Sequence, residues 1–160
     1  MAAQNELSPA FEKLLAPVTA WPGSPQSEDA AHGLSVCVVF TSVPATLLAL
    51  KRAASLASSL NARITLVVPQ LVPYPLPLTS PPVLLDFNER RFRVIVSKIP
   101  VPTTVRVYLC RDQLDALALA LPPRCLVVVG ARRRWWPTRE TRLASKLRHA
   151  GHDVIVTETE

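Results

Sequence analysis

Glycine is scarce in this chain, with four residues in 160 against sixteen prolines. That scarcity argues against a glycine-rich loop cradling phosphate, whose backbone must approach its ligand closely and take left-handed angles. Cysteine is rare and odd in number, and Cys37, Cys110 and Cys125 each sit among strand-type apolar residues. A disulfide framework does not fit, and inert core thiols in a reducing compartment are expected. No apolar run reaches the ~18 residues of a membrane span, and the first residues lack a basic start followed by an apolar stretch. A cytoplasmic protein without a membrane span is expected. No Ser/His/acid set, zinc-ligand spacing or pair of convergent carboxylates can be assembled. No catalytic residue and no metal ligand is therefore assigned, and a non-enzymatic role is expected.

What the chain does have is apolar substance. Hydrophobic residues make up 49% and charged residues 19%, and the mean hydropathy is +0.23. A packed core is expected, in one domain of ordinary size. The net charge of +6 is unevenly spread. Residues 1–33 hold four acids (Glu6, Glu12, Glu28, Asp29) against Lys13, whereas Arg124 to Asp153 holds eight bases against Glu140 and Asp153. Such a basic region attracts nucleic acid, anionic lipid, a phosphorylated ligand or the chain's own acidic arm, although a solvated helix face gives the same pattern.

Residues 1–33, with Pro9, Pro17, Pro22 and Pro25, read as a mobile arm. Within it, Ser8 and Pro9 can start a two-turn helix carrying Phe11, Leu14 and Leu15 on one side. From Leu34 the texture changes. Leu34 to Phe40 reads as a strand buried on both faces, Pro44 to Leu60 as a helix with Leu47, Leu48, Ala54 and Leu56 inward, and Ile64 to Val68 as a second strand. Asn61 suits the left-handed turn between them. This is a βαβ unit, which places its strands parallel. Pro69 to Pro82 reads as a surface crossover loop.

Val83 to Lys98 reads as a helix with Leu84, Phe87, Arg91 and Ile95 on one side, although Val94 to Val96 also suits a strand. A third strand at Thr103 to Leu109, a helix at Asp112 to Leu121 capped by Asp112, and a fourth strand at Cys125 to Val129 ending at Gly130 complete a second unit. Asp112 and Asp115 are read as helix-start residues, and Ser42 as a helix cap with phosphate binding as the alternative. Thr138 caps a last helix to Ala150, Gly151 ends it, and Val154 to Thr157 makes a fifth strand. His149 and His152 flank that helix end without the further ligands a metal needs.

This pattern resembles the universal stress protein family over roughly residues 34–157. Cys125-Leu-Val-Val-Val-Gly130 resembles its fourth strand and terminal glycine, and Leu143 to Ala150 with Val154-Ile-Val156 resembles its last helix and strand. Val105 to Leu109 and Ala62 to Val68 fit the third and second strands. The resemblance implies an α/β fold with a five-stranded, doubly wound parallel sheet, of the type shared with adenine nucleotide alpha hydrolases. It also implies a homodimer through the last strand, here Val154, Ile155 and Val156, and ATP binding at the carboxyl ends of the strands. The apolar edge would pair with its copy, while Asp153 and Glu158 can equally protect it.

The chain departs from the family at the ATP site. Members that bind ATP carry glycine, two residues, glycine, nine residues, then glycine with Ser or Thr. Here Gly130 keeps the first position, Arg133 takes the second, and Glu140-Thr141 take the last pair after a shorter segment. Glu140 would oppose a triphosphate by charge and by its Cβ. Thr41 stands where such members commonly have an acid. ATP and AMP are therefore disfavoured, and no cofactor is expected.

Arg132-Arg133-Arg134-Trp135-Trp136 falls where the family holds its phosphate loop. The leading expectation is that the indoles plug the nucleotide cleft under arginines, or that the segment meets an unidentified protein partner. The alternatives are a phosphate ligand held by Thr41, Ser42, Gly130, Arg132, Arg133, Arg134, Thr138 and Thr141, and single-stranded nucleic acid gripped by charge and stacking.

Overall fold

The computed structural model describes residues 13–15, 34–77 and 85–159. In chain order these form β1 (Lys13–Leu15), β2 (Ser35–Val39), α1 (Val43–Leu60), β3 (Arg63–Leu71), α2 (Leu85–Ser97), β4 (Thr103–Cys110), α3 (Gln113–Ala120), β5 (Leu126–Arg132), α4 (Arg139–His149) and β6 (Asp153–Thr159). Strands β2 to β6 run parallel in the order β4-β3-β2-β5-β6, the expected five-stranded sheet. Helices α1 and α2 pack on one face around Val36, Val38, Ile64 and Leu66. The α3 and α4 residues Leu117, Leu143 and Leu147 pack on the other with Val39, Val67, Val127 and Val129. Both faces are covered, and so the central strands β2 and β5 read as unbroken apolar runs, Val36 to Val39 and Leu126 to Val129, rather than alternating ones.

The arm carries one correction. Lys13–Leu15, expected within a short helix, is instead extended and pairs antiparallel with β4, with Lys13 opposite Val107 and Leu15 opposite Val105. The free edge of β4 offers backbone partners that a three-residue segment can satisfy, and this outweighs a two-turn helical pattern that is marginal alone. The rest of that expected helix, and the mobility expected of the arm, lie outside the described residues.

Strand β3 runs through Pro69 and Gln70 to Leu71, three residues into the expected loop. Its pairing with β2 ends at Val67, whereas its pairing with β4 continues to Leu71 opposite Cys110. Beyond Val67 the strand has a neighbour on one side only, and such an edge position tolerates proline. The following turn is held by Arg111, whose guanidinium donates to the carbonyls of Val72 (2.7 Å) and Leu76 (2.6 Å). The same group stacks 4.0 Å from the Tyr74 ring centroid.

Two helix faces differ from the expected stripes. In α1 the innermost row is Ala45, Ala49, Ala53 and Ala57 with Leu50; of the expected stripe Ala54 is buried, while Leu47, Leu48 and Leu56 are only half-buried. Small side chains let this helix lie close to the sheet. In α2 the buried side is Phe92, Ile95 and Val96, whereas Phe87 and Val94 are exposed. Phe92 anchors that side by an edge-to-face contact with Phe40, with ring centroids 5.1 Å apart. Asn61 takes the expected left-handed angles (φ 50°, ψ 41°) after α1, and Gly151 (φ 95°) follows the end of α4. Among the described residues no helix is long and apolar enough to cross a membrane.

Candidate functional site

A cleft of about 370 Å³ lies beyond the carboxyl end of β5, lined by Ser42, Arg132, Arg134, Trp136, Pro137, Thr138, Arg139 and Glu140. Three local structures build it. The first is the turn from β2 into α1, where Ser42 occupies the N-cap position with extended angles but makes no side-chain cap bond. Thr46 Oγ1 instead accepts from the Thr41 amide at 3.1 Å. Thus Ser42 caps by position alone, and it lines the cleft.

The second is the end of β5. The strand was expected to stop at Gly130, but the ladder to β6 continues through Ala131 opposite Glu158 and Arg132 opposite Thr159. One further bond joins the Arg133 amide to the Thr159 carbonyl at 3.2 Å. Extended backbone alternates its side chains. Accordingly Arg132 and Arg134 line the cleft and Arg133 does not.

The third is the start of α4. Thr138 Oγ1 accepts from the Thr141 amide at 3.3 Å, and the Thr141 hydroxyl donates to the Thr138 carbonyl at 2.9 Å. The Thr141 hydroxyl is thereby spent on the cap.

The expected indole plug is not formed. Trp135 and Trp136 are 101% and 81% exposed. The β5–β6 ladder carries the chain past the core before it bends, and the two indoles follow that bend instead of turning back beneath it. Of the eight residues expected to bind a phosphate, the cleft gathers Ser42, Arg132, Arg134 and Thr138. Thr41, Gly130, Arg133 and Thr141 lie outside its lining. The Thr41 hydroxyl donates to the Gly130 carbonyl at 2.8 Å, tying the ends of β2 and β5 together. Arg139 was missed because a helix-start arginine carries no local sign of a ligand. Its cleft position depends on where α4 docks.

The remaining candidates have structural partners. Asp112 Oδ1 accepts from the amides of Leu114 (2.8 Å) and Asp115 (3.2 Å), as a cap should. His149 Nδ1 lies 2.7 Å from the Ser145 carbonyl, and His152 Nδ1 lies 3.4 Å from Cys125 Sγ, so the two imidazoles have separate partners. Among the described residues no three metal-ligating side chains converge. All three thiols are free and buried. Burial, with the negative charges of Asp112 and Asp115, pushes the Cys110 thiol up to about 11. A hydrogen bond from the Cys125 thiol lowers Cys37 and, with burial, raises Cys125.

No family model matches the chain, and no curated protein sequence does. Solved structures do. A protein of the universal stress protein family from Burkholderia pseudomallei aligns over 77% of this chain and 94% of its own length, with 20% identity and a TM-score of 0.53. A universal stress protein in complex with cAMP aligns over 80% of this chain and 99% of its own, with 14% identity and a TM-score of 0.52. Strand order, the helices on both sheet faces and these two alignments agree: the chain has the universal stress protein fold.

Proposed function

We propose that this chain is a non-catalytic universal-stress-protein-like domain that serves stress response or regulation through protein contacts, with Arg132 to Trp136 as its contact surface. One observation carries the reading. Two adjacent indoles, 101% and 81% exposed, stand beside three exposed arginines. Tryptophan and arginine dominate the energetic centres of protein interfaces, and indoles left in water have much apolar area to gain by being covered. Family-style ATP binding is lost in this reading, because Glu140 stands in the cleft wall and Arg133 replaces a motif glycine. Self-association through the β6 edge, at Val154, Ile155 and Val156, accompanies it; sedimentation of a monomer at micromolar concentration would remove that element.

The test is in-cell crosslinking followed by comparison of the wild type with a Trp135→Ala/Trp136→Ala variant. Specific partners should be captured by the wild type and lost from the variant. Identical captures by both would reject the surface.

A second reading has its own support. The cleft holds Arg132, Arg134 and Arg139 against one acid, with Ser42 also in its wall, and one structural neighbour is a complex with cAMP. Guanidinium groups suit a phosphate of mononucleotide size. Calorimetric titration with cAMP, AMP, ATP and inorganic phosphate decides between the readings. Micromolar binding would make the domain a ligand sensor, and absence of heat would leave the contact reading alone. Retention on single-stranded DNA that collapses as salt rises would instead move the Arg/Trp segment to nucleic acid.

A further inference from the structure

On the α3/α4 face of the sheet, at the amino ends of the strands, lies a second and larger cavity of about 730 Å³. It is at the opposite end of the sheet from the arginine-lined cleft. Ser35, Cys37, Thr65, Arg106 and Cys125 are among its walls. The ladder explains why two of the three cysteines meet here. Val36 is paired with Leu126 and Cys37 with Val127, so Cys125, one residue before β5, lies diagonally across from Cys37 on the same face. Diagonal positions on adjacent strands place Cα atoms roughly 7–8 Å apart, just beyond what a disulfide spans, so closure requires the backbone of one of them to move. Both side chains line this one cavity. Cys125 Sγ lies 3.4 Å from His152 Nδ1. Cys110, the third thiol, is not in this cavity wall; its Sγ lies 3.7 Å from the Gln70 carbonyl.

From this geometry we infer that Cys37 and Cys125, with His152, form an oxidation site that a hydroperoxide converts to an intramolecular disulfide. Cys37 is the attacking thiol. Its thiolate is favoured by Cys125, by Ser35 and by the positive charge of Arg106, which together outweigh the opposing effect of burial. The thiolate sulfur attacks the nearer peroxide oxygen, an S–O bond forms and the O–O bond breaks. The departing alkoxide, or hydroxide from hydrogen peroxide, takes a proton, and Cys37 becomes a sulfenic acid. Cys125 then gives its thiol proton to His152 Nδ1 and attacks the Cys37 sulfur. The S–S bond forms and hydroxide leaves, taking up a proton as water. In sum, two thiols and one hydroperoxide give one disulfide, one alcohol or water, and one water.

The backbone at Cys125 is placed to permit the closing movement. This residue precedes the first pairing of β5 and follows a turn through Pro122, Pro123 and Arg124, the last with φ 52°. A shift there strains one bond, from the Asp153 amide to the Cys125 carbonyl at 3.1 Å, at the very start of the β5–β6 ladder. On the other strand, Cys37 is held within β2 and stays fixed.

The test is titration of the native full-length chain with hydrogen peroxide, followed by intact-mass measurement and peptide mapping without reductant. The expected product is a monomer lighter by two hydrogens, with the Cys37 and Cys125 peptides joined and Cys110 still alkylatable after unfolding. In Cys125→Ser, oxidation should stop at a Cys37 sulfenic acid that a dimedone-type probe labels. In His152→Asn, the joined peptide should form more slowly while the labelled Cys37 intermediate accumulates. The proposal is overturned if Cys110 oxidises as readily as Cys37, if the linkage is between chains, or if the joined peptide forms only after unfolding. It is equally overturned if the native thiols resist peroxide. Circular dichroism of each variant confirms that the labelled species is folded, and Cys37→Ala, which fills the same strand position, provides the unreactive control.

Discussion

Gly130 packs against the main-chain carbonyl of Ala45, so that a Cβ at position 130 would collide with that oxygen and its carbon. The contact joins β5 to the first turn of α1. Position 130 therefore requires glycine for helix–sheet packing whether or not a ligand is bound. Gly130→Ala should cost about 1–3 kcal/mol, the usual range for overpacking a site whose neighbour is backbone. Urea titration checks this. A midpoint equal to that of the wild type would show that α1 can retreat without loss.

The exposed indoles and the buried phenylalanine should behave oppositely. Trp135→Ala/Trp136→Ala should leave folding stability within about 0.5 kcal/mol of the wild type, because neither ring is buried. Phe92→Ala should cost about 3–5 kcal/mol, because that ring is 2% exposed and packs edge-to-face on Phe40. Thermal and chemical unfolding of both variants decide. A large loss in the tryptophan variant would mean that the indoles serve the fold and not a partner.

Asp112 couples a helix cap to a thiol. Removing its carboxylate in Asp112→Ala should cost about 1 kcal/mol through the lost bonds to the Leu114 and Asp115 amides. It should also lower the Cys110 thiol from about 11, where burial foremost and then Asp112 and Asp115 hold it. The pH dependence follows from the sign of that shift. Below about 9 the thiol is protonated in both folded and unfolded chains, and its contribution is constant. Between the ordinary value of 9.0 and about 11 the unfolded chain releases the proton while the folded chain keeps it, so stability falls as pH rises. Stability against pH, measured for the wild type, Asp112→Ala and Cys110→Ala, should show the decline narrowing in the first variant and this component absent in the second. A decline of unchanged width in Asp112→Ala would reject the coupling.

Alternation along the end of β5 separates the three arginines. If the cleft takes an anion, Arg132→Ala and Arg134→Ala should each weaken it by about tenfold or more, as loss of a charged hydrogen bond does. Arg133→Ala should change it by less than about threefold, its side chain lying outside the cleft lining. Titration with cAMP or phosphate reads the three variants. Equal losses in all three would indicate a general field instead of a shaped site.

Most of the fold was legible because its signals are local. The apolar run of β2 announces a strand buried on both faces, the β-favouring stretches of β3, β4 and β5 announce further strands, and Asn61, Asp112, Thr138 and Gly151 mark helix ends through chemistry within a few residues. What misled was equally specific. The prolines at the end of β3 read as a loop because the sequence does not say that β2 stops at Val67 and leaves the strand with one neighbour. The α1 stripe was assigned mainly to leucines because periodicity ranks side chains by hydropathy, and only its Ala54 is buried, whereas the sheet selected the Ala45, Ala49, Ala53 and Ala57 row that lets the helix approach. Lys13–Leu15 showed a helical spacing, but the backbone partners that make it a strand come from Val105 to Val107, about ninety residues away.

For the cleft, the sequence marked Arg132 to Trp136 as unusual and located it after the fourth parallel strand. It could not say which way the side chains face. That depended on two extra rungs between β5 and β6, which set the alternation of Arg132, Arg133 and Arg134 and carried both indoles into solvent. The amino-acid order alone thus determined the parallel doubly wound architecture, because hydropathy runs and helix caps act over a few residues. Only the tertiary structure decided which arginines share a cleft and that Cys37 and Cys125 share a cavity wall, because strand register is settled between segments far apart in the chain.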